Sequence, residues 1–248
     1  MNRYFLEVAY IGTNYAGFQI QKNANTVQSE IENALHTLLR IKIVLTGSSR
    51  TDAGVHALQN YFHFDIGEPI EQRFIYNINA ILPPDIAIKK LFAVKPGSHC
   101  RFDAISREYI YHIYWSKNPF LADKAYYYPY KLDLERLQVA ARVLLSHQDY
   151  SSFSKRRTQV KSYECNIMES EWEMIEDRLL YRVKANRFLR GMVRGLVGTM
   201  LQIGRGRLQV EQFEKIIKEK NPSKVDFSVP AKGLFLNRVL FPEDFFKA

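Results

Sequence analysis

An order of strands and helices running β-α-β-β-α-β, then repeated with one added helix, predicts an α+β fold of two ferredoxin-like halves. Two observations carry this expectation. Asn60 to Ile66 alternates at period two and Arg3 to Ile11 is rich in aromatic and β-branched residues, while segments such as 31–39 and 134–145 repeat at helical spacing. No Gly/Ser-rich linker interrupts the chain, so halves 1–104 and 105–248 are expected to pack tightly. Helices would cover one face of antiparallel sheet and leave the other to form a cleft.

The first half is read as follows. Arg3 to Ile11 is a strand, rich in aromatic and β-branched residues. A helix opens at Asn25 or Thr26, either of which can cap it, with Ile31, Leu35, Leu38 and Leu39 on one face. Lys42 to Leu45 is a short strand. Asn60 to Ile66 alternates, with Phe62, Phe64 and Ile66 on one side and Tyr61, His63 and Asp65 on a polar side. Ile70 to Ala80 is a helix stopped by Pro83-Pro84, and Ile86 to Val94 is a strand.

The second half runs in parallel. Glu108 to Trp115 is a strand, and Leu132 to Leu145 a helix with Leu134, Leu137, Ala141 and Leu145 inward. Cys165 to Trp172 and Leu179 to Lys184 form a hairpin pair. Phe188 to Ile203 and Val210 to Lys220 are helical, and Leu234 to Phe241 closes with a strand.

Composition narrows the partners. Of 248 residues, 46% are apolar and 25% charged, which is ordinary for a globular chain. Thirty-five Lys and Arg against 26 Asp and Glu leave a net charge of +9, which points to a polyanionic partner. Cys100 and Cys165 have no Cys-x-x-Cys spacing, so neither a disulfide framework nor a zinc ribbon is indicated. Glu7 comes too early for a signal peptide, and Arg190 and Arg194 break the apolar stretch from Phe188 to Ile203. A cytoplasmic protein without a membrane partner is expected.

The usual catalytic sets are missing. The six histidines include no His-x-x-x-His pair and no Cys-His cluster, so no metal is expected. There is no P-loop, no Gly-x-Gly-x-x-Gly and no Gly-x-Ser-x-Gly. The segment from Thr46 to Ala57 stands out instead, because it packs Arg50, Asp52, Gly54 and His56 between two strands. By itself Asp52-Ala53-Gly54 reads as a turn. Arg50 and Asp52 are two apart, so an extended backbone would point them the same way, cation beside carboxylate.

Here the chain resembles a known family. Arg50-Thr51-Asp52-Ala53-Gly54-Val55-His56 is similar to the signature of the TruA family of tRNA pseudouridine synthases. Further matches follow in family order: Tyr10, Gly12, Tyr15, Gly17 and Gln19; Asn79-Ala80 with Leu82-Pro83; Arg101-Phe102-Asp103-Ala104; and Arg107-Glu108-Tyr109-Ile110-Tyr111. Ala185-Asn186 with Phe188, Met192-Val193-Arg194 and Val197-Gly198 comes next, and Ala231 with Gly233-Leu234 closes the series. Ile11, Phe18 and Ser49 depart from the pattern, where the family usually has Asp, Trp and Gly.

The resemblance implies isomerisation of uridine to pseudouridine in the tRNA anticodon stem-loop, positions 38 to 40, by a homodimer without a cofactor. Asp52 is the implied essential aspartate, acting covalently or as a base at the sugar. Tyr109 is the implied tyrosine stacking on the uracil, and Arg194 the implied arginine pairing with the aspartate. Read as residues alone, Tyr109 and Tyr111 are equally a packed strand face, and Arg194 a side chain at a helix edge. Arg50 is the implied holder of the target nucleotide. His56 is either a hydrogen-bonded loop histidine or a participant.

The surplus charge suggests an RNA-binding cleft across RRM-like halves, with phosphate contacts from Lys22, Arg101, Arg107, Lys155, Arg156, Arg157, Lys161, Arg187 and Arg190. Arg187, Arg190 and Arg194 recur at three and four, so they can line one side of a helix. Two other classes stay in view. One is an RNA-binding module without catalysis; the other is a metal-dependent nuclease using Asp52, Asp65 and Asp103.

Overall fold

The computed structural model describes residues 1–71, 73–155 and 160–246. It is an α+β protein of mostly antiparallel sheet and helices, and it divides into two units. Met1–Ile105 with Leu236–Ala248 form the first, and Ser106–Phe235 the second. Among the described residues no helix is long and apolar enough to cross a membrane.

In the first unit, β1 (Asn2–Tyr10) leads to α1 (Val27–Leu39), capped reciprocally by Thr26 and Ser29. Val27, Ile31, Ala34 and Leu35 are its buried residues. Leu38 and Leu39, expected inward, are only half-buried, because they sit in the last turn before the left-handed Arg40. The strand expected at Lys42 to Leu45 does not form. Leu45 instead gives its N–H to Glu32 (2.9 Å) and accepts from Gln28 (2.9 Å), so α1 side chains satisfy the backbone that a strand would have paired. Only β2 (Thr46–Gly47) is a strand there, and it pairs with β3 (His56–Ile66).

α2 spans Phe74–Ile81 and starts later than expected, since the Ile70 N–H is tied to the Tyr4 hydroxyl. β4 (Ile86–Val94) pairs antiparallel with β1, which pairs antiparallel with β3. Asn79 bonds both the N–H and the carbonyl of Ile88, fastening α2 to β4. The expected polar face of β3 is a correction. Tyr61 and His63 are buried, because Phe5, Phe241, Phe245 and Phe246 cover that face with aromatic rings. Asp65, near the strand end, stays accessible and pairs with Arg3 at 2.6 Å.

In the second unit, β5 (Ser106–Tyr114) pairs with β8 (Arg178–Ala185), which forms a hairpin with β7 (Ile167–Ile175). β6 (Tyr126–Tyr127), not anticipated, runs parallel to β5. α3 (Leu134–Val143) buries Leu137, Ala140 and Ala141, followed by Leu144. Leu134 and Leu145, expected inward, are exposed: one is the first helical residue, and the other lies where a 3-10 turn rotates the chain. α4 (Met192–Gly204) is buried on nearly every side, and α5 (Val210–Glu219) turns Phe213, Ile216 and Ile217 inward. β9 (Leu234–Leu240) closes the order, and its later residues lie beside β3 in the first unit.

Candidate active site

The loop between β2 and β3 is clamped from several directions. The Tyr10 hydroxyl meets the Thr51 hydroxyl at 2.8 Å. Asn60, fully buried on β3, donates from its amide nitrogen to the Tyr10 oxygen (3.2 Å) and the Ser49 carbonyl (3.0 Å). Phe18 N–H donates to the Thr51 carbonyl at 3.1 Å, and Val55 N–H to the Asp52 carbonyl at 3.1 Å. Gly54 takes a φ of 76°, which closes the turn without strain. Burial pushes the Tyr10 phenol up to about 12, so it remains a fixed neutral partner.

His56 is fully buried, and its Nδ1 accepts the Gly12 N–H at 3.0 Å. Acceptance there leaves the ring proton on Nε2 and gives the histidine a bracing role. Thr51 is buried between an exposed Arg50 and a half-exposed Asp52. A carboxylate on a braced loop needs little reorganisation to react.

The departures from the family pattern are mild in this setting. Phe18 is buried and stacks on Phe62 at 4.5 Å. Ile11 lies at the surface. Ser49 takes part through its backbone carbonyl, which any residue would supply.

In the second unit Tyr109 is buried on β5, its ring edge-on to Phe188 at 5.0 Å. Tyr111 is fully buried and donates to the Pro230 carbonyl at 2.7 Å. Arg194 is half-buried on α4, and its Nε donates to the Val229 carbonyl at 2.8 Å. Its charge draws the Tyr111 phenol down, against the larger effect of burial, which raises it.

The expected arginine stripe is a correction. α4 begins only at Met192, after Gly191 at φ 73°, so Arg187 and Arg190 lie in the preceding loop and share no helix face with Arg194. Arg107 is buried and donates to the Asn186 carbonyl at 3.1 Å, a placement that serves packing. Arg101 and Arg190 are exposed and Arg187 half-exposed, as phosphate contacts require; Lys22 and Lys161 are exposed and Lys155 half-buried. Arg156 and Arg157 lie outside the described residues.

Two features escaped the sequence. Asn60 looked like the first residue of an alternating strand, although an amide just ahead of Tyr61 and Phe62 and close to the loop was a usable signal. The histidine spacing likewise hid a cluster of His63, His99 and Cys100, which correct the expectation of no Cys-His grouping. Asp65, one of the three nuclease candidates, is held by both oxygens against Arg3.

Asn60→Ala is expected to leave the Ser49 carbonyl and the Tyr61 N–H without their side-chain partner and the Tyr10 hydroxyl with Thr51 alone. Stability should fall by about 2 kcal/mol or more, measured by urea unfolding. Turnover should fall with a smaller change in KM, because the loop loses its position and the RNA surface does not.

A family model described as tRNA pseudouridine synthase matches residues 7–103 and 140–242. The tRNA pseudouridine synthase A of Parabacteroides distasonis is 44% identical over 248 residues, covering 99% of this chain and 98% of that protein. Its counterpart in Azobacteroides pseudotrichonymphae is 42% identical over 248 residues, covering 100% of both. The Staphylococcus aureus (strain MRSA252) protein of that name is 36% identical over 246 residues, covering 98% of this chain and 93% of its own. With its aspartate loop intact and matches along nearly its whole length, the chain belongs to the tRNA pseudouridine synthase family.

Proposed function

We propose that the protein isomerises uridine to pseudouridine in the tRNA anticodon stem-loop, at positions 38 to 40. The observation that carries this reading is Asp52, half-exposed on a loop braced by Tyr10, Thr51, Asn60 and His56. The reaction breaks the bond from C1′ to uracil N1, turns the base, joins C5 to C1′, and moves the C5 proton off while N1 gains one. It needs no oxidant and no group donor.

Asp52 is the catalytic carboxylate. Attack on C1′ and proton removal at the sugar are both open to it, and each requires the ionised form. Tyr109 stacks on the uracil, Arg194 balances negative charge, and Arg50 holds the target nucleotide. Halves 1–104 and 105–248 are each read as ferredoxin-like, acting in the cytoplasm as a homodimer. Sedimentation of the purified chain tests the dimer.

Pseudouridine mapping in tRNA from cells lacking the protein tests the reaction and the positions together. Loss confined to positions 38 to 40 is expected; an unaltered map would overturn the reading. Phosphate contacts through Arg50, Arg101, Arg187 and Arg190 also set a salt dependence. Affinity for tRNA is expected to fall about tenfold or more from low to physiological ionic strength. Affinity that ignores salt would remove these arginines from the RNA surface.

A further inference from the structure

We propose that His63, His99 and Cys100 form a binding site for a zinc-like divalent cation. Their ligand atoms all lie within 4.8 Å of one another. His63 comes from β3, and His99-Cys100 from the loop after β4, so the site joins two elements that nothing in the sequence spacing connects. None of its three residues is among those assigned above to the reaction or to phosphate contacts.

The geometry is close to what the ion needs. His63 Nδ1 lies 3.2 Å from Cys100 Sγ. In a tetrahedral zinc site, Zn–S of about 2.3 Å and Zn–N of about 2.0–2.1 Å place sulfur and nitrogen about 3.5 Å apart. That pair is therefore nearly set, and His99 needs only a modest swing. His99 Nδ1 now accepts the Arg101 N–H at 3.1 Å, so the ring must exchange that bond for the cation; the residue is half-buried, and solvent can supply a water as fourth ligand.

The donor chemistry also fits. His63 Nδ1 accepts the Cys100 N–H at 3.3 Å, so it is the unprotonated nitrogen and its lone pair faces the cysteine. Arg3, the nearby cation, is held by both oxygens of Asp65, while the Asp103 carboxylate accepts from the His99 N–H at 2.7 Å. Two neutral nitrogens and one thiolate suit zinc better than a hard, oxygen-seeking ion.

Binding exchanges bonds: the His63 Nδ1 lone pair leaves the Cys100 N–H and turns to the cation. The Cys100 thiol, which now donates to the Thr46 carbonyl at 3.1 Å, releases its proton to solvent and the sulfur takes the cation. No electron moves. Thr46 opens the strand that leads into the Asp52 loop, so an ion here would tie the His99-Cys100 loop to the root of that loop.

The test uses the full chain, purified without a histidine tag and stripped with chelator. Titration with Zn²⁺ should show one ion per chain, and Tm should rise with zinc concentration. Co²⁺ in its place should give a thiolate-to-cobalt charge-transfer band. Cys100→Ala and His99→Ala should each weaken zinc by about a hundredfold or more, beyond what outer contacts of a metal site contribute. His99→Ala, at a half-buried position, should keep the wild-type Tm in chelator and so carries the test if Cys100→Ala fails to fold. No stoichiometric uptake, a cobalt spectrum without the thiolate band, or undiminished binding in His99→Ala would each overturn the proposal.

Discussion

Asp52→Ala is expected to abolish tritium release from C5-labelled uridine in anticodon stem-loops while tRNA binding survives. The rate should drop by at least about a thousandfold, since a carboxylate acting as base or nucleophile contributes on that scale. Binding should persist because phosphate contacts supply most of the affinity, and Asp52 adds only negative charge near them. The loop's clamps through Tyr10, Thr51, Asn60, Gly12 and His56 remain in the variant, and the Val55 N–H still finds the carbonyl of residue 52. Release at the native rate would remove Asp52 from the chemistry. An RNA-binding module without catalysis makes the opposite prediction, no release even from the native chain.

Gly12→Ala should be the most damaging change away from the reacting groups. A Cβ at position 12 would sit 2.0 Å from the Val55 carbonyl oxygen and 2.7 Å from its carbon. Both are backbone atoms, so no rotamer relieves the clash. The Gly12 N–H is also the donor to His56, so the same displacement breaks a buried hydrogen bond. Together these should cost about 2–4 kcal/mol in urea unfolding. Turnover should fall about a hundredfold or more, because a misplacement near 1 Å at a catalytic group has effects of that size. Full activity at native stability would show that the loop is softer than its contacts suggest.

Gly12 also marks where legibility in the sequence stops. As a glycine in a family motif it was visible, but its purpose, close approach to the Val55 carbonyl, was not. The sequence located β1, β4 and β9 to within a residue or two, β1 from its run of aromatic and β-branched residues. Alternation located β3. It misjudged the second face of β3, because Phe241 and Phe246 from the far end of the chain cover Tyr61, while Phe5 and His99 cover His63. Helical spacing located α4 but not its start, which a left-handed Gly191 sets. That error alone created the arginine stripe.

The sequence by itself determined the order of strands and helices, the basic surplus and the segment carrying Asp52. Each is written locally, in the alternation of apolar residues, in a count of charges, or in seven consecutive residues. Only the tertiary structure decided that Asn60 and Tyr10 brace that segment, that His56 serves as an acceptor, and that His63 meets His99 and Cys100. Those contacts join residues far apart in the chain, and they form only when the sheet brings its strands into register. A strand pattern records which way a side chain points, not what will be waiting there.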